Sequence, residues 1–96
     1  MLTAVYIPVA QARDVVGDGS SSCASWTERQ RDGYFAVIDD AWVAGYLSSY
    51  NLYASAEISS PDSPARRAWM NVYCLRHPLD GIYKAVDEFV LELQRR

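Results

Sequence analysis

The sequence has little of what most catalytic sites require. Its 96 residues include only two cysteines and one histidine. There is no glycine-rich nucleotide loop, no G-x-S-x-G nucleophile turn and no H-E-x-x-H zinc motif. Two cysteines and a single histidine spread along the chain also match no zinc-site spacing. We therefore predict no catalytic residue, no cofactor and no metal ligand, and expect that the protein is not an enzyme.

A basic patch and a long apolar run are also missing. Nine Lys and Arg residues against twelve Asp and Glu residues give a net charge of −3. This argues against a nucleic-acid partner, because such proteins usually present a basic patch or stripe to the phosphates. No stretch approaches the roughly 20 apolar residues that a membrane-spanning helix needs. The acidic balance suits a basic protein partner instead.

The N-terminal residues suggest export. Residues 1–12, "MLTAVYIPVAQA", carry no charge and end in Ala-Gln-Ala, which is similar to a signal-peptide cleavage site. The basic start of a signal is missing, so we expect a remnant or truncated signal segment; an N-terminal arm of the folded domain is the alternative. Residues 13–21, "RDVVGDGSS", predict a flexible leader because they hold two glycines and a run of serines. Residues 22–96 then form a single domain.

The remaining chain predicts an all-α fold, a small four-helix bundle. Apolar residues recur at steps of three and four, and no β-alternation is present. The helices are expected over about 23–31, 34–53, 64–76 and 78–95. They should pack around Trp26, Trp42, Trp69 and the tyrosine-rich second helix.

Capping residues set the expected helix starts. Ser22 is a candidate N-cap for the first helix, and Ser63 followed by Pro64 is typical of the start of the third. Pro78 suits the first position of the fourth helix, which makes His77 its N-cap.

The second helix carries the features most relevant to binding. Asp39 and Asp40 are expected on its solvent face. Gly45 costs about 1 kcal/mol relative to alanine in mid-helix, and it is there either for close helix approach or because it is tolerated. Three tyrosines at helical spacing predict either core packing or a partner-binding face; they are Tyr46, Tyr50 and Tyr53.

The two cysteines predict one disulfide, Cys23–Cys74, since a small exported domain gains stability from such a bond. A loop of this length is worth about 4 kcal/mol in the chain-entropy picture. A catalytic pair of Cys74 with His77 is the alternative. Pro78 disfavours it, because a proline breaks the helix that would bring the two side chains together.

Three segments together resemble a known group. The patterns "SCASW", "WVAGYLSSYN" and "YCLRHPLDGIYKAVDEFVLEL" are similar to small exported bacterial proteins of the HdeA-like and Rap/Tai-like group. The resemblance covers about residues 20–95 and implies a periplasmic helical domain with a Cys23–Cys74 disulfide. Outside the cysteines, the matching positions would be structural; they are Trp42, Gly45, Tyr46 and Pro78.

The resemblance implies two kinds of function. One is a periplasmic binding or inhibitor protein, immunity-like, whose partner is a secreted effector. The other is a periplasmic acid-stress chaperone of the HdeA type, whose partner is an acid-unfolded client. A second copy of the chain is a further candidate partner, as a homodimer.

Overall fold

The computed structural model describes residues 14–55 and 57–96. It contains four α-helices in chain order: α1, Cys23–Arg29; α2, Gly33–Tyr53; α3, Ser63–Arg76; and α4, Ile82–Arg95. A short 3-10 helix, Gly17–Ser20, precedes them. No strand occurs in the described residues, which confirms the predicted all-α four-helix fold. The predicted signal segment, residues 1–12, lies outside the described residues.

One disulfide ties the first helix to the third. Cys23 is the first residue of α1 and Cys74 lies in the last turn of α3. Their sulfur atoms are bonded, their Cα atoms lie 4.7 Å apart, and both residues are fully buried. The bond confirms the predicted pairing and closes a loop that holds α1, α2 and α3.

The turn formed by residues 77–81 caps α1. The amide of Cys23 donates to the carbonyl of Asp80 at 2.7 Å, and the amide of Ala24 donates to the carbonyl of Pro78 at 3.0 Å. The Ser22 hydroxyl accepts from Ser25 at 3.1 Å, so Ser22 is the N-cap as predicted. The first amides of a helix lack partners within it. Here the turn and the cap supply them.

This use of the turn explains why the predicted start of α4 is wrong. The helix begins at Ile82 with Gly81 as its N-cap, four residues later than predicted. Pro78 lies in the turn, and His77 is the C-cap of α3. Pro78 and Asp80 therefore have a structural role in the turn, where their carbonyls accept hydrogen bonds from the first amides of α1. Neither residue begins a helix.

The cap of α3 also differs from the prediction. The carboxylate of Asp62 accepts from the amide of Ala65 at 3.0 Å, so Asp62 is the N-cap. Ser63 begins the helix, and its hydroxyl donates to Asp40 of α2 at 2.7 Å. Both residue types suit an N-cap. Because the hydroxyl of Ser63 is bonded to the buried Asp40, Asp62 is the residue that caps the helix.

The core lies between the four helices. Trp26 is fully buried, and its indole N–H donates to the side-chain oxygen of Asn71 at 2.8 Å. The ring of Trp69 is partly buried and stacks on Phe89 with centroids 4.5 Å apart. Trp42 is partly buried too. The other fully buried aliphatic and sulfur-containing side chains of the core cluster are Val43, Met70, Ile82, Ala85 and Val86 together with the two cysteines.

The segment before α1 is packed, although residues 13–21 are predicted to be a flexible leader. Gly19 is buried, and a Cβ there would lie 1.9 Å from a ring carbon of Trp42. The indole N–H of Trp42 donates to the carbonyl of Val16 at 2.8 Å. The described residues from Val16 to Ser20 therefore already pack against α2, ahead of the predicted start of order at Ser22, and the close approach of Trp42 to Gly19 leaves no room for a Cβ there.

None of the described helices combines the length and the apolar character needed to cross a lipid bilayer.

Candidate functional site

An apolar groove runs beside α2. Its volume is about 670 Å³, and it is formed between one face of α2 and the segment that precedes the 3-10 helix. We call it the α2 groove. Its lining is Asp14, Val15, Val16, Ala41, Trp42, Gly45, Tyr46, Ser49 and Tyr50. A volume of this size is in the range of known binding sites, which are typically apolar with a few polar groups.

Three aromatic side chains of α2 define the groove. Trp42 and Tyr46 lie with ring centroids 5.6 Å apart and a tilt of 44°. The hydroxyl of Tyr46 donates to Asp87 of α4, and the hydroxyl of Tyr50 accepts from Gln94 of α4. These bonds fix the positions of both rings in the lining of the groove.

Gly45 also lines the groove. A Cβ built at Gly45 meets no described atom within 4 Å, and the residue is exposed. Of the two explanations offered for Gly45, close approach of another helix is therefore absent among the described residues, which leaves the tolerated glycine. A mid-helix glycine with no packing role is costly, and in this position any larger side chain would extend into the groove.

The third tyrosine of the predicted face lies outside the groove. Tyr53 is 86% exposed and ends α2, whereas Tyr46 and Tyr50 are partly buried against the core. The structure thus brings together Trp42, Gly45, Tyr46 and Tyr50.

A second cluster joins α2 to α1 and the 3-10 helix. Asp39 was expected on the solvent face, but the structure buries it completely. Nη2 of Arg29 lies 3.2 Å from its carboxylate and 3.1 Å from the carboxylate of Asp18. One guanidinium therefore serves two carboxylates, and neither oxygen of Asp39 has a hydrogen bond of good geometry from the described residues.

Burial dominates the titration of Asp39. The pKa of the carboxyl rises from 3.8 to about 6 as the net result of three influences: burial raises it most, the neighbouring Arg29 lowers it, and Asp18 raises it. A protonated Asp39 leaves Arg29 paired with Asp18 alone, which balances the charge of the cluster.

Asp40 is buried by a different arrangement, so the predicted solvent face is wrong for both aspartates. Its carboxylate accepts two bonds from the guanidinium of Arg66, at 2.8 and 3.0 Å, and one from Ser63 at 2.7 Å. Burial opposes ionisation, but these hydrogen bonds outweigh it and lower the pKa of Asp40. Asp40 therefore locks α2 to α3 as an anion.

Sequence reasoning missed these two clusters for one reason. Arg29 and Arg66 lie on other helices, so the pairing of Asp39 and Asp40 depends on tertiary packing. The sequence did hold one signal: Asp40 lies at helical spacing between Ala36 and Val43, on the stripe that the structure buries.

The alternative Cys74–His77 site is excluded. Cys74 has no free thiol, because its sulfur forms the disulfide. The ring of His77 lies on Tyr73, with centroids 4.3 Å apart. In the described part of the chain, no group of three or more His, Cys, Asp or Glu side chains is placed to hold a metal ion.

Comparison with known protein families, with curated proteins and with solved structures finds no match for this chain. The α2 groove and the two aspartate clusters are therefore the observations from which a function has to be argued.

Proposed function

We propose that this protein is a small exported helical binding protein of the inhibitor or immunity-like kind, which engages a protein partner through the α2 groove. The observation that carries the proposal is the groove itself: an open, apolar groove lined by Trp42, Gly45, Tyr46 and Tyr50 among others. Tryptophan and tyrosine are enriched at the energetic centres of protein interfaces.

The chemistry of the lining indicates what would fill the groove. Its walls are aromatic and aliphatic, and the charged lining residue is Asp14 at the exposed rim. An apolar side chain of the partner would enter the groove, and a neighbouring lysine or arginine would meet Asp14. The net charge of −3 favours approach of a basic partner.

Two features support an exported, periplasmic location. The uncharged segment 1–12 ends in Ala-Gln-Ala, and the Cys23–Cys74 bond is typical of oxidising compartments. A disulfide-tied domain with a fixed aromatic groove is a rigid surface, and rigid surfaces lose little entropy when they bind.

A pair of matched variants tests this proposal. Gly45→Leu fills the groove, whereas Ser48→Leu adds the same side chain one turn away at an exposed position that does not line it. A protein captured saturably from the periplasmic fraction should be purified and titrated against the wild type and both variants. We expect at least tenfold weaker binding to Gly45→Leu and unchanged binding to Ser48→Leu. Equal binding to all three proteins would refute the groove as the site.

The ion pair of Asp40 with Arg66 favours one second candidate function, that of an acid-stress chaperone. Protonation of Asp40 would remove the charge that holds Arg66 and would loosen α3 from α2. The test is protection of an aggregating client below about pH 4, where ordinary aspartates protonate, compared with protection at neutral pH. The Asp40→Asn variant mimics the protonated state and should protect at a higher pH than the wild type. Equal protection by both proteins at every pH would count against this role.

A further inference from the structure

The outer face of α3 is apolar. The exposed residues of this helix are, in order, Pro64, Ala65, Ala68, Val72, Leu75 and Arg76. Val72 is 52% exposed and Leu75 is 67% exposed. The arginines Arg66 and Arg67 are on the opposite side, where Arg66 binds Asp40. Besides the side that α3 buries through Met70 and Cys74, the helix therefore presents a second apolar stripe to solvent, where a surface helix usually carries polar residues.

The exposed apolar residues form a regular seam. Ala65, Ala68, Val72 and Leu75 are separated by three, four and three residues. This alternation places side chains in one line along a helix, and it is the spacing that pairs two helices in coiled coils. Charge is absent from the seam until Arg76, the last residue of α3.

The seam is complementary to itself when the second helix runs in the opposite direction. Its N-terminal half carries small residues and its C-terminal half large ones. In an antiparallel pair, Leu75 of one copy lies opposite Ala65 of the other, and Val72 lies opposite Ala68. Each large side chain then meets a small one, so the two helices can pack at even separation along their length. A parallel pair would set alanine against alanine and leave a gap at one end.

The charges at the two ends favour the same arrangement. Asp62 caps the N-terminus of α3 and is exposed, and Arg76 ends the helix and is exposed. Antiparallel pairing brings Arg76 of each copy near Asp62 of the other, twice by symmetry. Parallel pairing would bring the two Arg76 side chains together, which is repulsive.

We propose that two copies of this chain associate through α3, antiparallel about a two-fold axis, with Val72 and Leu75 as the large side chains of the contact. Because the interface is isologous, it closes at the dimer. A single pair of 14-residue helices is about 21 Å long and buries less than the roughly 800 Å² per partner of a standard interface. The association is therefore weak, and monomer and dimer coexist at micromolar to submillimolar concentrations. It does not depend on the α2 groove.

Sedimentation equilibrium of the full chain tests the interface. We expect the wild type to dimerise with rising concentration and Leu75→Glu to weaken dimerisation at least tenfold. Leu52→Glu is the matched control, since Leu52 is on α2 and is 75% exposed. Far-UV circular dichroism checks that each variant is helical. A wild type that stays monomeric from micromolar to submillimolar concentrations would overturn the proposal. So would a dimer whose dissociation constant is unchanged by Leu75→Glu.

A residue swap tests the direction of the helices. Leu75→Ala and Ala65→Leu should each weaken the dimer, the first by loss of contact and the second by overfilling. The double variant exchanges the two members of the pair and should restore dimerisation to within about threefold of the wild type, since an interaction between neighbouring sites is not additive. Additive weakening in the double variant would refute the antiparallel pairing.

Discussion

Replacing Asp39 with asparagine should make the protein more stable at neutral pH. Asp39 is fully buried and shares Arg29 with Asp18, so its charge lacks a partner of its own. Burial raises its pKa from 3.8 to about 6. The unfolded chain ionises this group more easily than the folded protein does, and the difference opposes folding once the carboxyl is ionised.

The size and pH range of this effect follow from the two pKa values. Between about pH 4 and pH 6 the folded state binds more protons than the unfolded state, so stability falls as the pH rises through that range. A shift from 3.8 to about 6 corresponds to at most about 3 kcal/mol above pH 7, at about 1.4 kcal/mol per unit. We expect Asp39→Asn to gain about 1–3 kcal/mol at pH 7.5 and nothing below about pH 4.

Chemical denaturation across this pH range measures the prediction. The wild type should lose stability from about pH 4 to pH 7, and the Asp39→Asn variant should lose less. Asp40→Asn, the same substitution one residue along the helix, serves as the contrasting variant. It leaves Arg66 buried without its anion, so we expect a loss of about 2–4 kcal/mol at pH 7.5. If Asp39→Asn were no more stable than the wild type at pH 7.5, the attraction of Arg29 would fully offset the cost of burying the Asp39 carboxylate, and the reasoning would fail.

Four further predictions concern the covalent state of the chain and two of its glycines. Reducing the Cys23–Cys74 bond should cost about 2–5 kcal/mol, measured by urea unfolding with and without reductant; an unchanged midpoint would contradict it. Gly19→Ala should lower stability by about 1–3 kcal/mol and expose Trp42 to acrylamide quenching, since its Cβ would overlap the Trp42 ring; Gly45→Ala, with open space, should instead add up to about 1 kcal/mol. When this protein is isolated from its own host, its intact mass should correspond to cleavage after Ala12, and without reductant it should be two hydrogens lighter than the reduced form. A full-length mass would contradict the predicted export.

Local sequence signals predicted the helices well where neighbouring residues determine them. Ser22 caps α1 because the cap depends only on a hydroxyl and the amide of Ser25. The stripe of α4 was predictable because Ile82, Val86 and Phe89 follow the helical repeat and face one core. The cysteine pair was predictable because the composition offers each cysteine one possible partner.

The errors occur where a distant residue decides between local alternatives. Asp62 and Ser63 can both cap α3, and Asp40 recruits the serine. Pro78 can start a helix, but its carbonyl binds the amide of Ala24. The apolar groove could not be predicted either, because its second wall comes from residues before the 3-10 helix that looked like a leader.

Asp39 and Asp40 together set a requirement on the acid-stress alternative. As the pH falls from about 6 to about 4, protonation of Asp39 stabilises the fold. Asp40, whose pKa lies below its ordinary value, keeps its bond to Arg66 through that range and loses it only in stronger acid. The stability of the fold should therefore rise in mild acid and fall only in stronger acid, where Asp40 becomes protonated. A chaperone role then requires that client protection begin below about pH 4. Protection that begins near pH 6 would have to come from some other group, whereas groove binding by Trp42 and Tyr46 should persist across that whole range.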